Sequence, residues 1–174
     1  LVDWLKLYGR KERTFSFELV TNTTNTFDEF IKKKGIEFEN CVIKEIAKKT
    51  NIITISDFYN IEKVKETIHH MKIGTPVIHS APIYNKRNRT YGIIDLLVRS
   101  DYVNRLFDNF KISEQDANTK APYLDHDYHY RVIEIKYCTL SLTSDGIHVK
   151  NVSKFPAYKA QLCIYNDAVG NIQG

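Results

Sequence analysis

The amino-acid sequence predicts an α/β fold in which helices flank a mixed central β-sheet. Three runs, 76–84, 91–99 and 130–138, are rich in β-branched or aromatic residues and look like strands. The stretches 27–49 and 156–169 instead space their apolar residues at the helical period of about 3.6 residues. Strand-like runs in the middle of the chain, with helical stretches before and after them, indicate an α/β domain.

The first part of the chain is expected to be mainly helical. Residues 1–10 have helical apolar spacing, and residues 14–20 alternate like a short strand. The helical pattern of 27–49 is interrupted at Gly35, which leaves open whether one helix or two form there. A short strand is expected at 51–55.

A second helix follows this strand. Either Ser56–Asp57 or Asn60 provides its N-cap, because these side chains can accept hydrogen bonds from the first helical turn. Gly74 is expected to end the helix.

The runs 76–84 and 91–99 predict an antiparallel hairpin. The basic turn Lys86–Arg89 lies between them. Pro82 has no backbone N–H to donate, so the first strand of the hairpin should lie at an edge or contain a bulge there.

The last third of the sequence predicts a long irregular segment and then two strands and a helix. Residues 104–129 are mostly polar and irregular, and the strands are expected at 130–138 and 147–152. Pro156 suits the first turn of the final helix, which Gly170 should end.

Bulk properties indicate one ordinary globular domain, 1–174. The net charge of +4 and the pI near 8.8 mildly favour a polyanionic partner. No apolar run is long enough to span a bilayer, so no membrane partner is expected. The widely spaced cysteines favour an intracellular reducing compartment over a disulfide framework or a zinc site. Because the chain opens with Leu1 and stops just after a helical pattern, we expect a fragment of a larger protein.

Asp95 is the unusual residue of its strand. Strict alternation places Ile94, Leu96 and Val98 together on the face opposite Asp95, and both faces are apolar. The strand is therefore expected to be buried, and a buried carboxylate needs a cation, a hydrogen bond or a proton.

The sequence leaves two interpretations of what compensates the charge of Asp95. One is a structural ion pair with Lys136 or Arg99. The other is Glu134 on an adjacent strand, with a divalent cation between the two carboxylates to relieve their repulsion. Oxygen ligands of this type suit Mg²⁺ or Mn²⁺.

The stretch Arg131–Tyr137, R-V-I-E-I-K-Y, supplies the second half of this candidate site. Strand alternation puts Glu134 and Lys136 on one face, about 7 Å apart along the strand. An exposed polar face is one interpretation. Near Asp95, Lys136 would instead orient or deprotonate a water, or neutralise charge on a phosphate.

Four motifs in this order resemble the PD-(D/E)XK nuclease superfamily and, within it, the RecB-like branch. They are a helical first motif with an acidic residue four positions after a glycine, G-x-x-D, E-x-K and Q-x-x-x-Y, found at Gly35–Glu39, Gly92–Asp95, Glu134–Lys136 and Gln161–Tyr165. Each motif alone is weak, whereas the ordered set covers most of the chain. The resemblance implies a restriction-endonuclease-like core.

The resemblance also implies the metal chemistry. Asp95, Glu134 and the backbone carbonyl of Ile135 would bind Mg²⁺ or Mn²⁺, and Lys136 would be the catalytic lysine. Glu39 would be a third carboxylate ligand, in a position where RecB itself has histidine. The cysteines do not match those of the iron–sulfur members of this branch, so an iron–sulfur cluster is not expected.

Further residues are candidates for contact with the substrate. Gln161 and Tyr165 lie one helical turn apart, and the resemblance implies that they contact the substrate strand. The alternative is a polar helix face packed against the sheet. His79 is more typical of a satisfied core or edge histidine than of a ligand. The basic turn Lys86–Arg89 is a solvated loop, or a phosphate clamp if it borders the metal site.

The activity implied by the resemblance is metal-dependent hydrolysis of DNA phosphodiester bonds, exonuclease-like, on single-stranded or end-bearing DNA. DNA would be the partner, together with a helicase domain or subunit. The alternatives are a non-catalytic nucleic-acid-binding module, a cap-snatching-type endoribonuclease, and a protein-interaction domain whose motif matches are coincidental.

Overall fold

The computed structural model describes residues 26–55, 58, 60–108, 110–124 and 126–174. Contacts along the chain define two compact units, 1–34 and 35–174. The β-sheet belongs to the second unit, and the helix Thr26–Lys49 includes residues of both units. The helix expected at 1–10 and the strand expected at 14–20 fall outside the described residues.

The second unit is built on a four-stranded sheet. The elements in chain order are α1 (Thr26–Lys49), β1 (Ile52–Thr54), α2 (Ile61–Lys72), β2 (Val77–Asn85), β3 (Thr90–Arg99), α3 (Ser100–Leu106), α4 (Glu114–Ala117), β4 (Tyr130–Ile133) and α5 (Phe155–Gln173). The strand order is β1-β2-β3-β4. β1 and β2 are parallel, and the other neighbouring pairs are antiparallel. The predicted α/β class with a mixed central sheet is confirmed.

Two buried apolar clusters pack on this sheet. One joins Ile78 to Val169 of α5, and we call its side of the sheet the α5 face. The other joins Val77 to Ile46 of α1, and we call its side the α1 face. Because Val77 and Ile78 are consecutive in one strand, the two clusters lie on opposite faces.

Gly35 and Gly170 do not interrupt their helices, whereas α2 ends just before Gly74 as expected. α1 is one continuous helix through Gly35, and α5 passes Gly170 and ends at Gln173. A helical glycine costs only about 1 kcal/mol relative to alanine, which packing elsewhere in a long helix outweighs. Among the described residues, no helix is long and apolar enough to cross a bilayer.

The N-terminus of α2 is capped by Asn60, one of the two expected alternatives. Its side-chain oxygen accepts a hydrogen bond of 2.8 Å from the backbone N–H of Glu62. Gly74 follows the helix with a φ of 76°, a conformation that favours glycine.

Three strand and loop predictions are wrong in their extent. β4 ends at Ile133 rather than at residue 138. Residues 147–152 form no strand, and Val149 makes an isolated bridge with Leu142. The segment 104–129 is less irregular than expected, since it contains the end of α3 and all of α4. Strand propensity alone is a weak guide where no neighbouring strand is present to pair with.

The β2–β3 hairpin is kinked where Ser80 faces Asp95. The ladder pairs the residues on both sides of this position. Ser80 has a φ of 47°, in the left-handed region, which breaks the alternation of the strand. On β3, opposite this kink, Ile94 packs in the cluster on the α5 face, while Leu96 packs on the α1 face. The expectation that Ile94 and Leu96 share a face is therefore wrong.

Pro82 lies on a strand edge, as its missing N–H predicts. β1 pairs with only the first three residues of β2, Val77, Ile78 and His79. In the described part of the sheet, the remainder of β2 has β3 as its ladder partner. Proline is tolerated there because no second ladder needs its N–H.

Candidate active site

The candidate site lies where β4 separates from β3. The last ladder pair is Leu96 with Ile133, and one further step would pair Asp95 with Glu134. Instead, the backbone N–H of Ile135 donates to Oδ2 of Asp95 at 2.7 Å. The backbone N–H of Asp95 donates to Oε1 of Glu134 at 3.4 Å. Two carboxylates thus occupy the opening between the strands, which we call the β3–β4 gap.

Lys136 bridges the two carboxylates. Its Nζ lies 2.7 Å from Oε2 of Glu134 and 3.5 Å from Oδ2 of Asp95. The Glu134 side chain is only 5% exposed, so its charge is compensated mainly by this ammonium. The ion pair between Asp95 and Lys136 that the sequence left open is present. Arg99, the other candidate, instead makes a bidentate pair with Asp101, with both bonds at 2.7 Å.

The E-x-K stretch is placed between the helices on the two sides of the sheet. The Lys136 Nζ lies 6.0 Å from the ring centre of Tyr158 on α5. Ile135 packs with the cluster on the α1 face. The Tyr137 ring lies 5.9 Å from that of Phe38 on α1. The alternation predicted for this stretch therefore continues beyond the last residue of β4.

Electrostatics in the β3–β4 gap raise two pKa values. Burial raises the pKa of the Glu134 carboxyl and the negative charge of Asp95 raises it further, against the opposing effect of Lys136. Burial lowers the pKa of Lys136, but its hydrogen bond to Glu134 and the two carboxylate charges outweigh burial, and the net shift is upward. Lys136 is therefore an ammonium at neutral pH.

The two carboxylates have the chemistry of a site for a hard cation. Carboxylate oxygens suit Mg²⁺ or Mn²⁺, and the repulsion that raises the Glu134 pKa is what a bound cation would relieve. Among the described residues, no group of three or more His, Cys, Asp or Glu side chains is clustered closely enough to hold a metal ion. A pair still fits, because Mg²⁺ is commonly bound by one or two carboxylates, with water and substrate phosphates completing its shell.

Gln161 and Tyr165 lie together on the α5 face. The Gln161 amide donates to the Tyr165 hydroxyl at 3.2 Å. The Tyr165 ring covers Gly92, where an added Cβ would lie 2.5 Å from Cε1 of the ring. The glycine of the G-x-x-D motif therefore has a packing role, since it allows α5 to approach β3. These contacts are those of a polar helix face packed on the sheet, and the substrate contact of the two side chains stays a prediction.

Glu39 is held on the α1 face by His79. The His79 Nε2 lies 2.9 Å from Oε1 of Glu39, and its Nδ1 lies 3.0 Å from the Thr54 hydroxyl. His79 is thus a satisfied histidine in the sense the sequence indicated. Its link to Glu39 joins residues 40 positions apart and left no signal in the sequence.

The described contacts bring together only part of the predicted site. Asp95, Glu134, Lys136 and the backbone N–H of Ile135 meet in the β3–β4 gap. The role predicted for the Ile135 carbonyl stays a prediction. So does the metal-binding role of Glu39, whose described partner is His79.

A cavity of about 630 Å³ runs along the outer edge of β4 and reaches Glu134. Leu162 and Asn166 of α5 form one wall, and Phe107 and Phe110 contribute to the lining. This cavity gives the α5 side of the candidate site an open volume next to one of its carboxylates.

Asp167 is a residue of this region that sequence reasoning missed. Its Oδ2 accepts hydrogen bonds from the side chains of Asn85 at 2.7 Å and Asn88 at 3.0 Å. These bonds tie the basic turn between β2 and β3 to α5, the helix that carries Gln161 and Tyr165. The turn is exposed at all four residues, Lys86–Arg89, and these bonds also hold it in place.

Comparison with known proteins identifies no relative of this chain. No protein-family model, no curated protein and no solved structure matches it.

Proposed function

We propose that this chain is a metal-dependent deoxyribonuclease with a restriction-endonuclease-like core of the RecB-like type. One observation carries the proposal: Asp95 and Glu134 lie side by side in the β3–β4 gap, with Lys136 between them. A structural ion pair needs one carboxylate and one cation. Two carboxylates held around one ammonium instead leave excess negative charge, which suits a divalent cation.

Asp95, Glu134 and the Ile135 N–H would each have a separate role in phosphodiester hydrolysis. Asp95 and Glu134 would hold Mg²⁺ or Mn²⁺, which would supply polarisation of the scissile phosphate and a lowered pKa for a bound water. The Ile135 N–H donates to the Asp95 carboxylate and so orients it in advance for this role. The burial of Glu134 strengthens its interaction with any cation in the gap.

Lys136 would act as a cation rather than as a general base. Its hydrogen bond to Glu134 and the two carboxylate charges raise the pKa of its ammonium in the metal-free protein, which favours the charged form. An ammonium in this position can orient an attacking water and stabilise the charge that develops on the phosphate.

The substrate would be a DNA strand bound mainly by its phosphates. Gln161 and Tyr165 would contact it from α5, and Lys86–Arg89 would do so from the turn that Asp167 anchors. Contacts to phosphate carry no sequence information, so little sequence preference is expected. Single-stranded or end-bearing DNA is the substrate that we propose, with a helicase domain or subunit as the source of such strands.

A cleavage assay on end-labelled single- and double-stranded DNA, with Mg²⁺ and with Mn²⁺, tests this function. Asp95→Asn and Lys136→Met are expected to abolish cleavage, while both proteins remain folded. Lys48→Met is the matched control, because among the described residues the Lys48 ammonium pairs only with Glu45, at an exposed position.

Cleavage that persists in the Asp95 and Lys136 variants would show that the activity does not come from this site. A parallel assay on RNA separates the proposal from an endoribonuclease. Calorimetry with Mn²⁺ separates it from a non-catalytic module, which would show no binding that depends on Asp95.

A further inference from the structure

The outer edge of β4 directs backbone groups into the cavity beside it. Tyr130 identifies the residues that point outward, because its N–H donates to Oε1 of Gln173 at 2.8 Å and its carbonyl accepts from Nε2 at 3.2 Å. Every second residue of an antiparallel strand directs its N–H and C=O to the same side. The N–H and C=O of Val132 therefore also point outward, into the cavity that Val132 lines. No described side chain does for Val132 what Gln173 does for Tyr130.

The walls of this cavity lie on opposite sides of the sheet. Leu162 and Asn166 belong to α5, which packs on the α5 face. Phe107 packs with the cluster on the α1 face, and Phe110 follows it three residues later. A planar group that continues the sheet beyond β4 would thus have one face towards α5 and the other towards Phe107. The Gln173 amide is already a planar group bonded to this edge.

The cavity suits a compact planar ligand better than a peptide strand. β4 has four residues, and alternation leaves Tyr130 and Val132 as the two that point outward. Gln173 occupies the position beside Tyr130, so a strand added to β4 would find a single free position. One planar ligand needs no more than that position. The cavity volume of about 630 Å³ is also in the range of small-molecule sites.

An unpaired nucleobase has the chemistry that this position requires. Unpaired bases are recognised through the donors and acceptors of their edges and by stacking on aromatic side chains. The N–H and C=O of Val132 offer one donor and one acceptor to such an edge. Phe107 and Phe110 supply aromatic rings to the lining, and Phe110 is 54% exposed, so its ring is accessible to a base.

The cavity is continuous with the candidate active site. Glu134, two residues after Val132, lines the cavity and also accepts from Lys136 in the β3–β4 gap. Alternate residues of a strand lie about 7 Å apart. A base bonded to Val132 would therefore belong to a nucleotide at or next to the phosphate that is cut. Arg131 lines the same cavity and adds a positive charge for that strand.

We propose that this cavity is a base pocket, which takes one unpaired base of the DNA strand being cut. The base edge bonds the Val132 backbone, and its faces lie between α5 and the two phenylalanines. This inference rests on the proposed function and sharpens its substrate class. A base paired in a duplex cannot offer its pairing edge to Val132, so the pocket selects strands that are single-stranded at the cut.

Binding to two fluorescein-labelled strands tests the base pocket. Fluorescence anisotropy is measured on the full chain in EDTA, which prevents metal-dependent cleavage. One strand is oligothymidylate, and the other has the same length and phosphates but abasic sugars throughout. The parent protein should bind oligothymidylate more tightly than the abasic strand. Phe110→Ala should weaken binding of oligothymidylate about tenfold, through lost stacking, and leave binding of the abasic strand unchanged.

Two further variants control for the loss of an exposed ring. Phe110→Trp keeps an aromatic ring in the cavity and should retain the preference for oligothymidylate. Tyr123→Ala is the matched control, because Tyr123 is 65% exposed and does not line the cavity. That variant should bind both strands as the parent does. Thermal unfolding checks that each variant is folded.

An equal loss on both strands in Phe110→Ala, or no loss on either, would overturn the base pocket. A cavity that takes a peptide strand would give the second of these results. If the parent cleaves oligothymidylate with Mn²⁺ and Asp95→Asn does not, such a binding result removes only this inference. If Asp95→Asn cleaves as well as the parent, the proposed function fails.

Discussion

The Tyr165 ring lies directly over Gly92, so close that a Cβ at residue 92 would fall 2.5 Å from Cε1 and 2.8 Å from the hydroxyl oxygen. This contact sets the approach of α5 to β3, the strand that carries Asp95. It also ties two of the motifs, G-x-x-D and Q-x-x-x-Y, to each other by packing.

Gly92→Ala is therefore expected to destabilise the fold. The Tyr165 ring must move to admit the methyl group, and such overpacking typically costs about 1–3 kcal/mol. Denaturant unfolding measures the change in the free energy of unfolding. Gly170→Ala is the matched control on α5, because no described atom outside the neighbouring helix backbone lies within 4 Å of its Cβ position. That variant should be neutral or stabilising by up to about 1 kcal/mol. Equal stabilities of the two variants would contradict the contact.

Metal binding is expected to weaken on acidification, and to do so at a higher pH than at a site built from ordinary carboxylates. Glu134 must be ionised to bind a cation, and burial together with the charge of Asp95 raises its pKa above the 4.5 of an ordinary glutamate. As the pH falls through this raised pKa, Glu134 takes up a proton and the affinity for Mn²⁺ should decline. Calorimetry in a series of buffers checks this. An affinity that stays constant until the pH of an ordinary carboxyl group is reached would be the contrary result.

Lys136→Met should make the stability of the protein depend more strongly on pH. Lys136 lowers the pKa of Glu134, so its loss should raise that pKa further. A carboxyl group whose pKa is higher in the folded than in the unfolded state destabilises the fold once it ionises. The variant should be less stable than the parent by about 2 kcal/mol at neutral pH, and the deficit should shrink as acid protonates Glu134.

Urea unfolding at several pH values measures this deficit. Saturating Mn²⁺ should reduce it, because a bound cation replaces the missing positive charge. Lys48→Met is the control at an exposed ion pair and should change stability by no more than about 0.5 kcal/mol. A deficit that does not vary with pH would show that Lys136 contributes through packing alone.

Arg99 is expected to contribute to stability without contributing to activity. Its guanidinium binds Asp101 twice and the Gly74 carbonyl once, each at 2.7 Å, and lies over the rings of Tyr102 and Tyr128. Replacement by methionine leaves Asp101 partly buried without its cation, which should cost about 2–3 kcal/mol.

Chemical denaturation of Arg99→Met, beside Arg105→Met, checks this expectation. Of the groups that contact Arg99, Arg105 contacts only the Tyr102 ring, with its guanidinium 5.0 Å from the ring centre. The loss of stability in Arg105→Met should therefore be smaller than in Arg99→Met. DNA cleavage per folded molecule should be unchanged in both variants. Loss of cleavage in Arg99→Met that is still folded would mean that Arg99 is coupled to the Asp95 site.

The sequence by itself determined the order and class of most elements and the side chains available for chemistry. Alternation and helical spacing act over a few residues, so they predicted the hairpin, α2 and the α/β class with a mixed sheet. The capping role of Asn60 followed in the same way, from side-chain chemistry within one turn. Asp95 was identified because a carboxylate in an apolar strand needs a partner wherever that strand lies.

Only the tertiary structure decided where the elements end and which side chains meet. β4 ends at Ile133 because the Asp95 carboxylate takes the Ile135 N–H, a contact across 40 residues of sequence that no local pattern contains. The pairing of Glu39 with His79 spans the same separation, and it depends on the packing of α1 against the sheet. Such contacts depend on how distant segments pack, whereas periodicity records only which face of its own element a residue occupies.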